Sequence, residues 1–193
     1  MVGLGNPGAQ YARTRHNAGF WFVDALVQES DAHFKPERRY QCEVATTSLN
    51  GHVVAIMKPT TFMNVSGAAV AAYANYFRIP VGEILVVHDE LDLAPGVVRL
   101  KRTGGHGGHN GLREITAQLG AEFVRLRLGI GHPGAASEVV NYVLSSPHPD
   151  DRAAIEDAIT SAIKILPDIV AGKLDHAMNH LNRRSADPKP APK

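Results

Sequence analysis

The sequence predicts a single α/β domain in which a mixed, twisted β-sheet lies between helices on both faces. Short apolar runs typical of strands alternate with longer segments of helical periodicity. One antiparallel pair is predicted as well, because Asn50-Gly51 separates two strand-like segments. A chain of 193 residues has the length of one domain with a substantial core. We place this domain in residues 1–182 and predict a disordered, Pro- and Lys-containing tail over 183–193.

The first half of the chain begins with a short strand at MVGLG. Almost no strand precedes the glycines, which leaves open whether residues upstream of Met1 belong to this strand. The segment 20–30 has the broad apolar face of a helix. Asn64 or Ser66 should begin a helix that ends before Pro80. The predicted elements are a helix over 20–30, strands over 40–49 and 52–57, and a helix over 64–77.

The second half contains a continuous apolar run, Ile84–Val87, which is typical of a central strand covered on both faces. Asp150 or Asp151 is expected to cap a long helix near the end of the chain. The predicted elements are strands over 84–87, 97–101 and 123–129, and helices over 112–119, 150–170 and 173–181.

Composition excludes several classes of protein. The net charge is +1, so the chain as a whole lacks the basic excess of many nucleic-acid-binding proteins. Cys42 is the only cysteine, which excludes an internal disulfide and a CxxC metal site and suits a reducing compartment. Neither an apolar run of about 18 residues nor a signal-peptide pattern is present. We therefore expect a cytoplasmic protein.

Polar residues with catalytic potential follow predicted strands in two distant segments. GLGNPG and RHNAG contain Asn6 and His16, whereas ILVVHDELD contains Asp89 and GGHGGHNG contains Asn110. Open α/β sheets place their sites at the carboxyl ends of strands. A histidine base, a carboxylate that orients it, and amides that hold a carbonyl are the groups needed for hydrolysis of an acyl bond by water. The sequence alone leaves open whether His16 is instead an unpaired surface histidine.

GLGNPG also matches the G-x-G-x-x-G pattern of dinucleotide-binding proteins. That motif requires a helix directly after the glycines and an acidic residue at a later strand end. Here AQYARTRHN has no apolar helical face before Phe20, and Asp24 would lie within a helix. A tight turn that presents Asn6 and Tyr11 is the better interpretation.

Histidines and carboxylates near the middle of the chain are a possible metal site. Two observations argue against it, since adjacent strand residues face opposite sides and no H-E-x-x-H helix is present. We expect no metal. The residues considered are His88, Asp89, Glu90, Asp92, His106 and His109.

One concentrated group of cations stands out against the low net charge. Alternation along strands places Arg99 with Lys101, and Arg125 with Arg127, on common faces. The group is either a solvated sheet edge or a patch that binds a phosphate without reading bases. Its members are Arg99, Lys101, Arg102, Arg113, Arg125 and Arg127.

Five motifs together resemble the bacterial peptidyl-tRNA hydrolase family. They are GLGNPGAQYARTRHNAG, KPTTFMNVSG, HDELDLAPG, GGHGGHNGL and RLRLGIGHPG, and they span Val2 to about Gly134. The C-terminal helices match only in general character. The resemblance implies hydrolysis of the ester between a peptide and the 3′ end of tRNA, which recycles the tRNA. It also implies a monomeric α/β enzyme of translation that needs no metal, organic cofactor, membrane or obligate protein partner.

The resemblance further implies roles in the reaction. His16 would be the general base that activates water, and Asp89 would orient it and keep it basic. Asn6 would contact the peptide and distinguish blocked peptides from free aminoacyl ends. Asn64 and Asn110 would hold the peptide backbone or the attacked carbonyl.

Five more residues would contact the tRNA or the substrate. Tyr11 and Phe62 would line the entry of the terminal nucleotide, beside Met63 of the FMN motif. Lys101 and Arg127 would bind the 5′-terminal phosphate. Two other functions stay open at this point, namely a non-catalytic RNA-binding module and a metal-dependent hydrolase that uses the His-rich loop.

Overall fold

The computed structural model describes residues 1–184, with side chains through residue 182. Within them, seven strands form one sheet. The strands are β1 (Val2–Gly3), β2 (Lys35–Glu37), β3 (Cys42–Leu49), β4 (His52–Pro59), β5 (Leu85–Glu90), β6 (Val98–Lys101) and β7 (Val124–Gly129). Their order is β2-β3-β4-β1-β5-β7-β6.

The sheet is mixed, as predicted. β1 pairs in parallel with both β4 and β5, and β5 pairs in parallel with β7. The β2–β3, β3–β4 and β6–β7 pairs are antiparallel. Because β1, β5 and β7 run in the same direction, the loops that follow them meet at one edge of the sheet.

Helices cover both faces of the sheet. They are α1 (Ala18–Glu29), α2 (Ser66–Tyr76), α3 (Asn110–Leu119), α4 (Val139–Val143), α5 (Pro149–Ile163), α6 (Leu166–Val170) and α7 (Leu174–Arg184). Phe22 of α1 and Ile155 of α5 belong to one apolar core together with Val87 of β5. Val70 of α2 and Ile115 of α3 belong to a second core with Val86 of β5. The prediction of a sheet between two helical layers is confirmed.

The predicted hairpin is also confirmed. β3 and β4 pair along their whole length, from Cys42 opposite Pro59 to Leu49 opposite His52. Asn50 and Gly51 have φ angles of 51° and 79°. A two-residue turn with both φ angles positive matches the twist of the flanking strands, and Asn-Gly tolerates this conformation.

A close approach of α1 to the sheet positions the residues that precede this helix. A Cβ atom on Gly19 would lie 2.4 Å from the Val87 carbonyl oxygen and 2.5 Å from the Leu4 nitrogen. Only a residue without a side chain allows this distance. The turn before α1, which contains His16, is thereby held against the end of β5.

The predicted helix over 150–170 is wrong in two respects. α5 begins at Pro149, and its N-cap is His148, whose side chain accepts the Asp150 N–H group, rather than Asp150 or Asp151. The helix ends at Ile163, and α6 begins at Leu166 with Pro167 in its first turn. Proline has no N–H to donate and is disfavoured within a helix but tolerated in its first turn. The chain therefore ends α5 before Pro167 and begins a new helix there.

Other boundaries differ less. The first part of the predicted helix over 64–77 is a separate turn, Met63–Val65, and α3 begins two residues before the predicted start. β2 and α4 were not predicted, because they are too short to show a periodicity in the sequence. Of the predicted tail, residues 183 and 184 belong to α7, and residues 185–193 lie outside the described residues. No described helix is both long and apolar enough to cross a membrane.

Candidate active site

A cavity of about 590 Å³ opens at the edge of the sheet where β1, β5 and β7 end. Most of the predicted site residues line it. They are Asn6, His16, Phe62, Met63, Asn64, Asp89 and Asn110. Tyr11, Lys101 and Arg127 do not belong to its lining.

His16 and Asp89 are in direct contact at the floor of this cavity. His16 lies in the helical turn Arg15–Asn17, and Asp89 lies near the end of β5. The His16 Nδ1 atom is 3.0 Å from each Asp89 carboxylate oxygen, and both residues are buried. Nδ1 therefore carries a proton that it donates to the carboxylate, and Nε2 is left as an acceptor.

The electrostatics of the pair favour this arrangement. Burial acts to lower the pKa of His16, but the charge of Asp89 and its hydrogen bond outweigh burial and raise the pKa above its ordinary value. Burial acts to raise the pKa of Asp89, but the two histidines beside it, His16 and His109, hold that pKa well below its usual range. Asp89 is thus a carboxylate at neutral pH.

His109 is a second partner of Asp89 that the sequence analysis did not identify as such. Its Nε2 lies 2.9 Å from Asp89 Oδ1, and its ring centroid lies 4.9 Å from that of His16. Its Nδ1 accepts the Leu112 N–H at 3.3 Å as the N-cap of α3. The N-cap contact fixes the tautomer, so Nε2–H donates to Asp89. The sequence feature that could have identified His109 is its position directly before a helix, where a side-chain acceptor forms an N-cap.

His88 is buried next to this cluster but does not share its chemistry. Its Nδ1–H donates to the Asp89 carbonyl oxygen at 2.8 Å, and its ring packs edge-on against His109. Burial, followed by the charge of His109, lowers the pKa of His88 to about 3. The side chain is therefore neutral, with an Nε2 atom that has no hydrogen-bond partner among the described residues.

Asn6 is held rigidly at the cavity wall. The Asn6 N–H donates to Asn17 Oδ1 at 2.8 Å, and Asn17 Nδ2 donates back to the Asn6 carbonyl at 2.9 Å. The Asn6 side-chain oxygen accepts the Met63 N–H at 2.8 Å. Among the described contacts its NH₂ group has no acceptor, so this donor is available to the cavity. Sequence analysis missed Asn17, because a pairing of two asparagines across a loop leaves no local pattern.

Three other predicted residues of the cavity lining, Phe62, Asn64 and Asn110, are exposed. Asn64 lies in the turn before α2, and Asn110 is the first residue of α3. The rings of Tyr11 and Phe62 meet edge to face with centroids 6.1 Å apart, and Phe62 is 52% exposed. Two amides and the Phe62 ring therefore line the same cavity as His16, whereas Tyr11 lies outside the lining.

The basic residues of β6 and β7 do not form one surface. Arg125 is 2% exposed, donates to the Gly104 carbonyl and stacks on Phe123, so its predicted membership of a surface patch is wrong. Lys101 is exposed and lies opposite Arg125 in the β6–β7 register. Arg127 donates from Nε to Glu90 at 2.8 Å and is partly exposed. Lys101 and Arg127 are diagonal neighbours on the same face of the sheet.

The glycine-rich loop does not begin a helix. After β1 the chain makes turns through residues 8–14, and α1 starts only at Ala18. Backbone N–H groups of a helix N-terminus therefore do not face the space above GLGNPG, as a dinucleotide site of this type would require.

Comparisons with known proteins agree with the geometry. The sequence profile described as peptidyl-tRNA hydrolase matches residues 1–189. The chain is 53% identical over 193 residues to the peptidyl-tRNA hydrolase of Delftia acidovorans, covering 100% of this chain and 93% of the relative. It is 52% identical over 185 residues to that of Neisseria meningitidis serogroup A, covering 95% and 96%.

Solved structures show the same fold. The crystal structure of peptidyl-tRNA hydrolase from Acinetobacter baumannii superposes with a TM-score of 0.92 at 44% identity, covering 94% of this chain and 92% of that one. A peptidyl-tRNA hydrolase in complex with N-propanol superposes with a TM-score of 0.93 at 43% identity, covering 98% and 95%. Profile, sequence identity and fold agree over almost the whole chain, which therefore belongs to the peptidyl-tRNA hydrolase family.

Proposed function

We propose that this protein is an enzyme that hydrolyses the ester bond between a peptide and the 3′-terminal ribose of tRNA. The observation that carries the proposal is the buried His16–Asp89 pair at the floor of a cavity that is also lined by Asn6, Asn64 and Asn110. Release of radiolabelled acyl group from N-blocked aminoacyl-tRNA tests it directly. A folded protein without this activity would contradict the assignment.

In the proposed reaction, His16 Nε2 takes a proton from water while the water oxygen attacks the ester carbonyl. Asp89 stabilises the imidazolium that forms, as an orienting carboxylate does in other hydrolases. Side-chain amides of Asn64 and Asn110 donate hydrogen bonds to the carbonyl oxygen as it becomes negative. When the carbon–oxygen bond to ribose breaks, the ribose oxygen takes the proton from His16.

Asn6 supports a preference for blocked peptides. Because its side-chain oxygen is used by Met63, it presents an NH₂ donor to the cavity. A peptide or N-acyl carbonyl accepts from this donor, whereas a free α-ammonium group has only donors and cannot. We propose that this difference protects aminoacyl-tRNA from hydrolysis.

Asn6→Asp should reduce this preference. One carboxylate oxygen can still accept the Met63 N–H, and the other presents a negative acceptor that suits an ammonium group. We expect the ratio of kcat/KM for N-acetyl-aminoacyl-tRNA to that for free aminoacyl-tRNA to fall by about tenfold, a change of about 1.4 kcal/mol. Asn75→Asp, an exposed change on α2 outside the cavity lining, is the matched control. An unchanged ratio in a folded Asn6→Asp protein would remove Asn6 from substrate selection.

We propose that Lys101 and Arg127 bind the 5′-terminal phosphate of the tRNA. Their position on one face of neighbouring strands supports it, since phosphate contacts orient a nucleic acid without reading its bases. Arg127 is paired with Glu90 through Nε, so its terminal nitrogens remain as donors for a phosphate.

Lys101→Ala with Arg127→Ala should raise KM for peptidyl-tRNA strongly at low salt and little at high salt. Each ionic contact that is lost should reduce the magnitude of the slope of log K against log salt concentration by roughly 0.7 to 0.9. A short substrate without the 5′ phosphate should be hydrolysed normally, because the His16–Asp89 pair is untouched. Equal impairment of both substrates would mean that the two cations are structural.

A second candidate function is metal-dependent hydrolysis. His16, Asp89 and His109 offer ligand atoms that all lie within 4.8 Å of one another. However, the Leu112 N–H fixes a proton on His109 Nε2, which donates to Asp89. A metal would have to replace that hydrogen bond and the one from His16, so the geometry favours the metal-free reaction.

Exhaustive chelation is therefore expected to leave hydrolysis intact. A short ester substrate is needed, because tRNA itself folds with magnesium. Loss of activity on chelation, restored by one added divalent cation, would make the metal reaction the better assignment.

We also propose that the enzyme acts as a monomer in the cytoplasm, without an obligate protein partner. The single cysteine, Cys42, is a free and buried thiol, which suits a reducing compartment. The catalytic groups all come from one chain, so the proposed reaction needs no second copy.

A further inference from the structure

Arg15 is a buried cation next to His16 that the proposed reaction does not use. It is 7% exposed. Its Nη1 lies 3.2, 3.3 and 3.1 Å from the carbonyl oxygens of Tyr142, Ser145 and Ser146, and 2.7 Å from the Ser145 hydroxyl. Its backbone N–H also donates to the Ser145 carbonyl at 3.1 Å. All these partners lie at or just after the end of α4.

The same arginine packs on α4 through its guanidinium plane. The guanidinium carbon lies 4.0 Å from the centroid of the Tyr142 ring. The Tyr142 hydroxyl also donates to the Ile130 carbonyl at 2.7 Å, which ties α4 to the residue that follows β7. A cation at the carboxyl end of a helix also interacts favourably with the unpaired carbonyl groups there.

α4 needs such support because it has only five residues. A helix of this length is not stable by itself in water. It nevertheless forms the apolar wall of the cavity, with Val139, Val140, Val143 and Leu144 in the lining. Val140 is 65% exposed and Leu144 is 40% exposed, so apolar surface faces the open cavity.

We propose that Arg15 is a positioning residue that holds this apolar wall against the turn that carries His16, and that the wall binds apolar side chains of the peptide part of the substrate. The inference rests on the proposed function. His16 is held independently by Asp89. Loss of the Arg15 contacts should therefore displace α4 while leaving the base in place, so binding of the peptide changes more than the chemical step.

The experiment compares two substrates that differ only in the peptide. One is N-acetylglycyl-tRNA, and the other is N-acetyl-Leu-Leu-Gly-tRNA, which has the same ester and two added apolar side chains. For Arg15→Met we expect KM for the longer substrate to rise at least about tenfold, with kcat within about twofold of normal. KM for the glycyl substrate should change by less than about threefold. Arg15→Lys keeps the charge without the planar group, and its KM should be intermediate.

Two further variants test the inference even if the Arg15→Met protein does not fold. Tyr142→Phe removes the hydroxyl bond to Ile130 but keeps the ring under Arg15, and Ser145→Ala removes one acceptor. Each should raise KM for the longer substrate in the same direction by a smaller factor. Val140→Ser should also raise KM for the longer substrate, although it removes no contact of Arg15.

Three results obtained with an active enzyme would overturn the inference. Equal KM changes for both substrates, or no change in any of these variants, would show that α4 does not bind the peptide. A fall in kcat on both substrates with a shifted acid limb would show that Arg15 acts through His16. Inactivity of the unmodified enzyme on both substrates would instead contradict the proposed function, and the inference with it.

Discussion

His16→Ala is expected to lower kcat for N-blocked aminoacyl-tRNA by about 10²- to 10⁴-fold, the range for loss of a positioned general base. His16 is the cavity histidine whose Nδ1 proton is held by Asp89, and its Nε2 has no protein partner among the described contacts. KM should change little, because the amides and apolar side chains that are proposed to bind the substrate remain. Single-turnover kinetics on saturating enzyme would separate the two effects.

The fold should survive this change. The ring of His16 is buried but small, and the turn that carries it is also held by Arg15 and by the Asn6–Asn17 hydrogen bonds. Thermal unfolding would check this. His52→Ala, an exposed position in β4, is the matched control and should have normal kcat. Near-normal turnover in a folded His16→Ala protein would show that another group activates the water.

The parts of the site that sequence analysis predicted are those with local signals. A continuous apolar run predicted a central strand, and the position of Asp89 after that run predicted its place at the sheet edge. The glycine-rich turn after the first strand similarly predicted that Asn6 lies at the sheet edge, where the structure places it, buried, in the cavity wall. The two segments could be expected to meet because parallel neighbours end at the same edge.

The parts that it missed depend on contacts between distant residues. Arg125 and Arg127 alternate in the same way along β7, yet one is buried against Phe123 and Gly104 and the other pairs with Glu90. Burial of the first depends on how the loop after β6 folds, which no periodicity records. The contacts of Arg15 with residues more than 120 positions away are of the same kind.

His109 shows a third limit. GGHGGHNG contains enough glycine to indicate a flexible loop, and the sequence does not show which of its two histidines, His106 or His109, lies in the site. In the structure His106 is turned toward its own loop, where it accepts the Gly108 N–H, whereas His109 caps α3 and reaches Asp89. The position of the helix start decides which histidine joins the site, and boundaries are the least certain part of a prediction from sequence.

Asp89→Asn is expected to reduce kcat by about 10-fold to 10²-fold, less than His16→Ala. In the native site both His16 and His109 donate an N–H to the Asp89 carboxylate. An asparagine keeps one acceptor oxygen and replaces the other with an NH₂ donor, and each of these two positions lies 3.0 Å from His16 Nδ1. The His109 tautomer is fixed by the Leu112 N–H, so the amide oxygen stays at the Oδ1 position to accept from His109 Nε2. The NH₂ group then lies beside His16 Nδ1, which favours the His16 tautomer with its proton on Nε2, where it cannot take one from water.

The same variant should move the acid limb of the pH–rate profile to lower pH. As the proposed base, His16 acts only when it is neutral, so activity should be lost as the pH falls through the pKa of His16. The negative charge of Asp89 and its hydrogen bond raise that pKa above its ordinary value against the opposing effect of burial. Removing the charge leaves burial, which lowers the pKa, so the residual activity should persist to lower pH than in the unmodified enzyme. Histidine chemical shifts measured by NMR against pH would report the pKa of His16 directly. Asp157→Asn, an exposed change on α5, should leave the profile unaltered. If Asp89→Asn also left both the rate and the profile unaltered, the His16–Asp89 contact would have no part in the reaction.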